Sequence, residues 1–564
     1  MCYKKEYSKW LLSEYFDSET KEELISIKDD ENEIEERFYK NLEFGTGGLR
    51  GKIGAGTNRV NKYTIRRATA GLCEYIKKSF GKENNRIVIA HDNRYKSREF
   101  CIETAKVMAE NGIKSYIFDD LRSTPELSFA VRYLKCTMGV VITASHNPKE
   151  YNGYKVYDSN GGQICIEVAD NIIAEINSIK DYSAIKVKSY DEYLKLNMIE
   201  VLDNSVDDAF IDAVKEQIVN EDIVCKYAKD LKIVYTPIHG TGLMPISRVL
   251  NECGFKNLSI VEEQTIHDPM FSTVKYPNPE EISVFDMAKK LSDKVGADII
   301  MGTDPDCDRV GLIVKNKKGE YKVLNGNQIG SLMVRYILEN MNGNIPSNSV
   351  IIKTIVTSEL GAEIASKYGV ETINTLTGFK FIGEKINEFE KTNEKHFIMG
   401  YEDSYGYLIG THARDKDRVV SALIICEIAA YCKSKGISIY EYMYDTYEKY
   451  GYYSDKLKSI VIEGKKGVEK ISEIMTYLRN SDPNEIGFND LLEIKDYKNG
   501  IDGLPKSNVL KFIMKDKSWL AIRPSGTEPK IKIYFGAKSD DSIEDSDRKL
   551  NSMYENIMNI IESI

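Results

Sequence analysis

Three times along this chain an apolar run ends in a loop dense with hydroxyl and carboxylate groups. Gly139–Ile142 leads into Thr143-Ala144-Ser145-His146-Asn147-Pro148. Ala297–Met301 leads into Asp304-Pro305-Asp306-Cys307-Asp308-Arg309. Phe397–Met399 leads into Gly400-Tyr401-Glu402-Asp403-Ser404. Between these runs the pattern alternates. Ile87–Ala90 reads as a buried strand, Ser97–Asn111 as a helix and Lys114–Phe118 as a strand. Ser123-Thr124-Pro125 opens another helix, with a hydroxyl cap and a proline in the first turn. Leu231–Tyr235 and Ser349–Val356 are further strands. Such alternation implies βαβ units and largely parallel sheets. In open sheets of that kind, reacting groups collect at the carboxyl ends of strands.

The expected fold is therefore α/β, with three successive similar domains of mixed, largely parallel sheet and a smaller C-terminal α+β domain. Soft boundaries divide the chain into 1–200, 201–320, 321–450 and 451–564. Residues 1–40 are charged and read as helical, with Leu24, Ile25, Ile27 and Ile34 on an imperfect stripe. The last stretch differs: Trp519–Ile522 and Ile531–Phe535 read as strands, and a helix closes the chain. At 564 residues the chain exceeds what one core holds, so several domains are required.

The formal net charge of −10 disfavours a general nucleic-acid binder but permits a local basic pocket for an anionic substrate. The ten cysteines show no C-x-x-C pair or zinc-like spacing and are read as reduced, mostly buried thiols. Met1-Cys2-Tyr3-Lys4-Lys5 leads into mixed charge, and no apolar run is long enough for a bilayer. A cytoplasmic protein without a membrane partner is expected. The oligomeric state is not legible.

Each loop has an ordinary reading beside the chemical one. A loop serine commonly bonds backbone, and His146, adjacent to Ser145 in sequence, is not automatically its base. No G-x-S-x-G elbow surrounds Ser145, which weakens a hydrolase reading. The D-x-D-x-D string could be a solvated acidic loop or open a calcium loop. The calcium reading fails, because Arg309 stands where glycine is needed and Lys315 where glutamate is needed. Three aspartates at a strand end suit a hard cation such as Mg²⁺. Glu402-Asp403-Ser404 is by composition a polar turn able to meet vicinal hydroxyls. In Arg523-Pro524-Ser525-Gly526-Thr527-Glu528-Pro529-Lys530, the arginine, hydroxyls and backbone N–H groups suit an anion.

Taken together these strings resemble the α-D-phosphohexomutases, the phosphoglucomutase and phosphomannomutase superfamily. The resemblance spans roughly residues 40–540, with the motifs in the family's order. Phe271–Glu280 and Asp403–Tyr407 are similar to the branch that includes bacterial α-phosphoglucomutases and animal phosphopentomutases. The resemblance implies a phosphoryl group on Ser145, with His146, Lys155, Arg309 and Arg50 in the catalytic set and Asn147 and Asn152 matching nearby. It implies Mg²⁺ on Asp304, Asp306, Asp308 and the Ser145 oxygen. It assigns sugar contacts to Glu402 and Ser404, and phosphate contacts to Arg523, Ser525, Gly526, Thr527 and Lys530. Thr377, Gly378 and Lys416 are weaker matches for substrate binding. His239 either caps its own turn or reaches the site.

The implied reaction interconverts glucose 1-phosphate and glucose 6-phosphate through a bisphosphorylated sugar, with glucose 1,6-bisphosphate as intermediate and activator. The partner is a small sugar phosphate, bound in one central cleft. Phosphopentomutase and phosphomannomutase activities are the near alternatives. A Mg²⁺ phosphatase or a non-catalytic sugar-phosphate binder is the distant one.

Overall fold

The computed structural model describes residues 2–45, 47–341, 343–462, 465–481, 490–525 and 530–564. The chain divides into two compact units. The first comprises Met1–Val314, Gly383–Lys391 and Gly406–Ser434, and the second Lys315–Ile382, Thr392–Tyr405 and Lys435–Ile564.

In the first unit, residues 1–40 form three short helices, Tyr3–Leu12, Ser18–Ser26 and Glu31–Phe38. Asp17 and Asp30 cap the second and third through their side chains. Each restart resets the helical phase, and neighbours on one helix point about 100° apart. The expected imperfect stripe is buried in part: Leu24 and Ile34 are buried, whereas Ile25 is 51% exposed. The core here is aromatic instead. Trp10 stacks on Phe16 at 4.2 Å and meets Phe38, Tyr63 and Tyr182 edge-on.

Beyond it lies a seven-stranded sheet, in the order Phe44–Gly45, Gly48–Lys52, Tyr151–Tyr157, Met138–Ile142, Arg86–His91, Lys114–Phe118, Ile199–Leu202. The last four are mutually parallel and the first three antiparallel. Helices Lys62–Phe80 and Ser97–Glu110 cover one face, burying Leu72, Ile76, Phe100 and Met108 against Ile87, Ile89 and Val140. The Thr124–Tyr133 helix begins as expected, with the Ser123 side chain accepting from Glu126 N–H and proline in the first turn. A second sheet pairs Val310–Lys315 antiparallel with Ile299–Thr303, which runs parallel to Lys232–Thr236, itself parallel to Asn257–Ile260. Helix Arg418–Ser434 is buried along nearly its whole length, as expected of a helix apolar on every side. Its lone buried Glu427 accepts hydrogen bonds from Val219 and Asn220 N–H.

In the second unit, Glu371–Thr375, Ser349–Thr354 and His396–Glu402 pair in parallel. A separate antiparallel sheet runs Tyr452–Val461, Lys530–Ser539, Trp519–Pro524, Leu510–Met514, Leu491–Asp496. Helices Lys465–Asn480 and Ile543–Ser563 pack on one face through Ile474, Met475, Ile557 and Ile561. The other face buries Trp519, Ala521 and Tyr534 against Ile355, Val356 and Leu376. This is the α+β character expected of the C-terminal part.

Six of the ten cysteines are buried, and all ten are free. Among the described residues no helix is long and apolar enough to cross a membrane.

Candidate active site

Each of the three polar loops leaves its strand through a non-glycine residue in left-handed backbone. Ser145 has φ 52°, Cys307 φ 56° and Tyr405 φ 60°. Such conformations cost roughly 1–3 kcal/mol each and cluster where a side chain must be aimed.

The turn at Ser145 is built from below. Thr143 Oγ1 donates to Asp92 Oδ2 at 2.6 Å and accepts from Ser145 N at 2.8 Å. Arg94, fully buried beside Asp92, donates to the carbonyls of Ser145, Asn147, Pro148 and Tyr151. Arg50 Nη1 donates to Asn147 Oδ1 at 3.0 Å. Asn152 holds Tyr95 O and Ser97 Oγ.

The aspartate loop meets this turn. Ser145 Oγ donates to Asp304 Oδ2 at 2.8 Å and lies 3.3 Å from Asp308 Oδ1. The other side of the hydroxyl faces His146 Nδ1 at 3.2 Å. One carboxylate oxygen from each of Asp304, Asp306 and Asp308 lies within 4.8 Å of the others, and all three residues are buried. Lys155 Nζ bridges Asp306 Oδ2 at 2.7 Å and Asp308 Oδ2 at 3.2 Å. Lys416 Nζ reaches Asp308 Oδ2 at 3.2 Å and Asp415 Oδ1 at 3.0 Å. Arg309 is ion-paired with Glu280. Gly240 permits the loop after Lys232–Thr236 to pass beneath: a Cβ there would sit 2.5 Å from Pro305 Cα, where Thr241 N donates to Pro305 O at 2.8 Å.

The electrostatics separate the carboxyls. Burial, then the charges of Asp308 and Asp306, push Asp304 well above the usual carboxylate range. Burial also acts on Asp308, but Lys155, Lys416 and Arg309 overcome it and hold it well below that range. His146 is driven well below its ordinary value by burial and then by Arg309 and Arg50, so its imidazole is neutral near pH 7. Burial lowers Lys155, yet Asp306 and Asp308 outweigh it and keep the ammonium protonated.

A divalent cation fits this cluster. The donors are hard oxygens, Asp306 Oδ1 is buried without a hydrogen-bond partner among the described residues, and the crowding that raises Asp304 is relieved by positive charge between the carboxylates.

In the second unit, Glu402 is 6% exposed and accepts from Gly378 N at 2.9 Å. Thr377 Oγ1 is buried with no partner among the described residues. Ser404 is half-buried in the turn 403–405. Gly326 makes room for that turn, since a Cβ there would lie 2.0 Å from Asp403 O. Arg523 is the penultimate residue of the strand Trp519–Pro524, and Ser525 N donates to Lys530 O at 2.7 Å. Gly526 and Thr527 lie outside the described residues. Burial and then Asp403 raise the buried Tyr534 hydroxyl, with Arg523 opposing and Glu402 adding.

His239 resolves toward structure: Nδ1 faces Ile266 O at 2.8 Å and Nε2 faces Thr273 Oγ1 at 2.7 Å. Asp92 and Arg94 escaped the sequence reading. Their signal was present in His91-Asp92-Asn93-Arg94, a polar string at the end of the Arg86–His91 strand.

Models of the phosphoglucomutase/phosphomannomutase family match four stretches. The alpha/beta/alpha domains I, II and III match residues 41–183, 208–319 and 325–450, and the C-terminal domain matches 461–551. The chain is 36% identical to a phosphoglucomutase of Staphylococcus saprophyticus over 93% of its length and 94% of that protein. It is 37% identical to one of Staphylococcus haemolyticus, covering 90% and 92%. The structure superposes on Paramecium parafusin, a phosphoglucomutase, with TM-score 0.74 at 20% identity, covering 93% and 95%. A phosphomannomutase-like protein of Thermus thermophilus gives 0.67 at 21%, covering 91% and 99%. This chain belongs to the phosphoglucomutase/phosphomannomutase family and is an enzyme of its phosphoryl-transferring, isomerising class.

Proposed function

We propose that this enzyme interconverts α-D-glucose 1-phosphate and glucose 6-phosphate through phosphoserine at Ser145. The observation that carries the reading is the 2.8 Å contact of Ser145 Oγ with Asp304 inside a three-aspartate cluster. The Staphylococcus relatives, named phosphoglucomutases, support glucose as the sugar.

In this reading the Oγ–P bond of phosphoserine breaks as a P–O bond forms to the sugar's free hydroxyl. The hydroxyl proton leaves to a base, and the product is a bisphosphorylated sugar, glucose 1,6-bisphosphate. The released Ser145 oxygen takes up a proton; in the return step it gives that proton up as it attacks the other phosphoryl group, the P–O bond to the sugar breaks, and the sugar oxygen is protonated. Neutral His146, 3.2 Å away, is placed to receive that proton. Lys155, held as a cation, steadies phosphoryl oxygens and is not the base. Arg309 and Arg50 add fixed positive charge. Asp304, Asp306, Asp308 and an oxygen on Ser145 would hold Mg²⁺, which when bound supplies charge neutralisation to the transferring group.

The proposed division of labour is by domain, and the order of the four family matches supports it. Residues 1–200 carry the serine loop and 201–320 the metal loop. Residues 321–450 read sugar hydroxyls through Glu402, Ser404, Thr377 and Gly378, and 451–564 hold the distal phosphate through Arg523, Ser525, Gly526, Thr527 and Lys530. Lys416 serves the substrate from beside Asp308.

The test is intact mass together with competition kinetics. One phosphoryl group should map to Ser145 after incubation with glucose 1,6-bisphosphate, and kcat/KM should favour glucose 1-phosphate over mannose and ribose 1-phosphates. Phosphate release without isomerisation would overturn the reading in favour of a phosphatase.

A further inference from the structure

Arg309 follows the last of the three aspartates, and its guanidinium forms an ion pair with a carboxylate from another segment. Lys155 and Lys416 already serve Asp308. The Arg309 guanidinium instead pairs with Glu280, and both side chains are largely shielded, at 17% and 35% exposure. Glu280 reaches it on a segment that is tied down along its length. His239 holds Ile266 O and Thr273 Oγ1. Asn93 donates to Asp268 O at 3.1 Å, and the Asp268 carboxylate accepts from Met270 and Ser272 N–H. Phe271, 1% exposed and at φ 48°, packs beneath the Arg94 guanidinium at 5.2 Å. Arg94 is the residue that pins the Ser145 turn. Just before Glu280, the backbone presses on the strand that follows Arg309: a Cβ on Gly311 would lie 2.8 Å from Pro279 O.

The same arginine acts on the serine turn. Its charge is the largest electrostatic influence on His146 after burial, and Ser145 Oγ lies 3.3 Å from Asp308, its neighbour in the chain. A phosphoryl dianion on Ser145 therefore enters the reach of a guanidinium that already has a carboxylate partner. We propose that Glu280 is the counter-ion Arg309 keeps while Ser145 is unphosphorylated, competing with phosphoryl oxygens for that guanidinium. The proposal rests on the phosphoserine reading above.

Glu280 is thus a positioning residue, acting through Arg309. States that carry a phosphoryl group at the site all use Arg309 on phosphate; only the unphosphorylated, unliganded protein uses Glu280. The carboxylate stabilises that state alone, and so loosens the hold on a bisphosphorylated sugar and favours its release.

The experiment compares wild type, Glu280→Gln and Glu280→Asp, each dephosphorylated and checked by intact mass. Calorimetric Kd values for glucose 1,6-bisphosphate should show Glu280→Gln binding roughly fivefold tighter, the worth of a half-shielded ion pair. Glu280→Asp should return toward wild type. Melting adds a readout that a merely structural role would not give: Glu280→Gln should lower Tm of the dephosphorylated form and leave the Ser145-phosphorylated form unchanged. Equal or weaker bisphosphate affinity in Glu280→Gln, or an equal drop of Tm in both forms, overturns the proposal. If wild-type Ser145 takes no phosphoryl group, the functional reading falls first and this proposal falls with it. If wild type is phosphorylated normally and Glu280→Gln behaves like it, this proposal alone is lost.

Discussion

The serine and aspartate loops of the first unit contrast with the loops that carry Thr377 and Glu402 in the second. Around Ser145 the charges are matched. Asp308 has two lysines, Arg309 has Glu280, and the Ser145 hydroxyl touches two aspartates. In the second unit the buried Thr377 Oγ1 lacks a hydrogen-bond partner among the described residues. The difference fits two kinds of work. Charge transfer needs preorganised dipoles and ions before substrate arrives. Recognition of hydroxyls needs polar atoms left for the ligand to satisfy, so that a wrong sugar leaves them unpaired.

Breaking the contrast at its strongest point should have the largest effect. Ser145→Ala should lower mutase turnover by several orders of magnitude, because the covalent route passes through that oxygen. Intact mass should then show no added phosphoryl group. Near-full activity in the alanine variant would remove the serine from the mechanism.

Next in size is the cation. Asp306→Ala takes away the carboxylate with the unpartnered oxygen, and turnover should fall roughly a thousandfold at ordinary Mg²⁺. Calorimetry should show weakened Mg²⁺ binding, while circular dichroism stays native. Wild-type activity that persists in excess chelator would dismiss the metal.

Both variants test loops that were legible in the sequence, because strand, turn and reactive residue lie within ten positions. The parallel strands and the Ser123 cap were legible for the same reason: their signals are local. Arg94 was harder to see, since what identifies it is four carbonyls of a turn about fifty residues away. The Glu280–Arg309 pair is also non-local: Arg309 stands out beside the three aspartates, but nothing near Glu280 in the sequence pairs the two. Ile25 left the stripe because it follows buried Leu24 on one helix and points about 100° away from it.

A smaller effect should separate reading from clamping. Arg523→Ala should weaken glucose, mannose and pentose phosphates together. Glu402→Gln should reduce kcat/KM for glucose 1-phosphate selectively, by roughly five- to a hundredfold, because an unpaired buried polar group costs about 1–3 kcal/mol. Equal loss on every sugar in both variants would erase the distinction.

The smallest expected effect concerns stability, and it sharpens the comparison where the second unit lacks a pairing that the first provides. Asp455, on the strand Tyr452–Val461, is half-buried, and among the described residues it has no ion pair and its buried Oδ1 no hydrogen bond. Burial pushes its carboxyl up to about 7, against the pull of Ser358 and Asn327. Between the unfolded value near 4 and this folded value, the native chain binds a proton that the unfolded chain has released. Stability contributed by the protonated form is therefore lost as pH rises through that window, and the loss is complete above it. Asp455→Asn keeps the shape and removes the titration. Its advantage over wild type should grow between pH 5.5 and pH 8, reaching roughly 1 kcal/mol in urea unfolding. Asp308, with lysines on both sides, should show the opposite: Asp308→Asn should destabilise the unliganded protein at pH 8, because Lys155 and Lys416 each lose one of two carboxylate partners. A pH-independent offset in Asp455→Asn, or a less stable variant at pH 8, would mean that the carboxylate is satisfied after all.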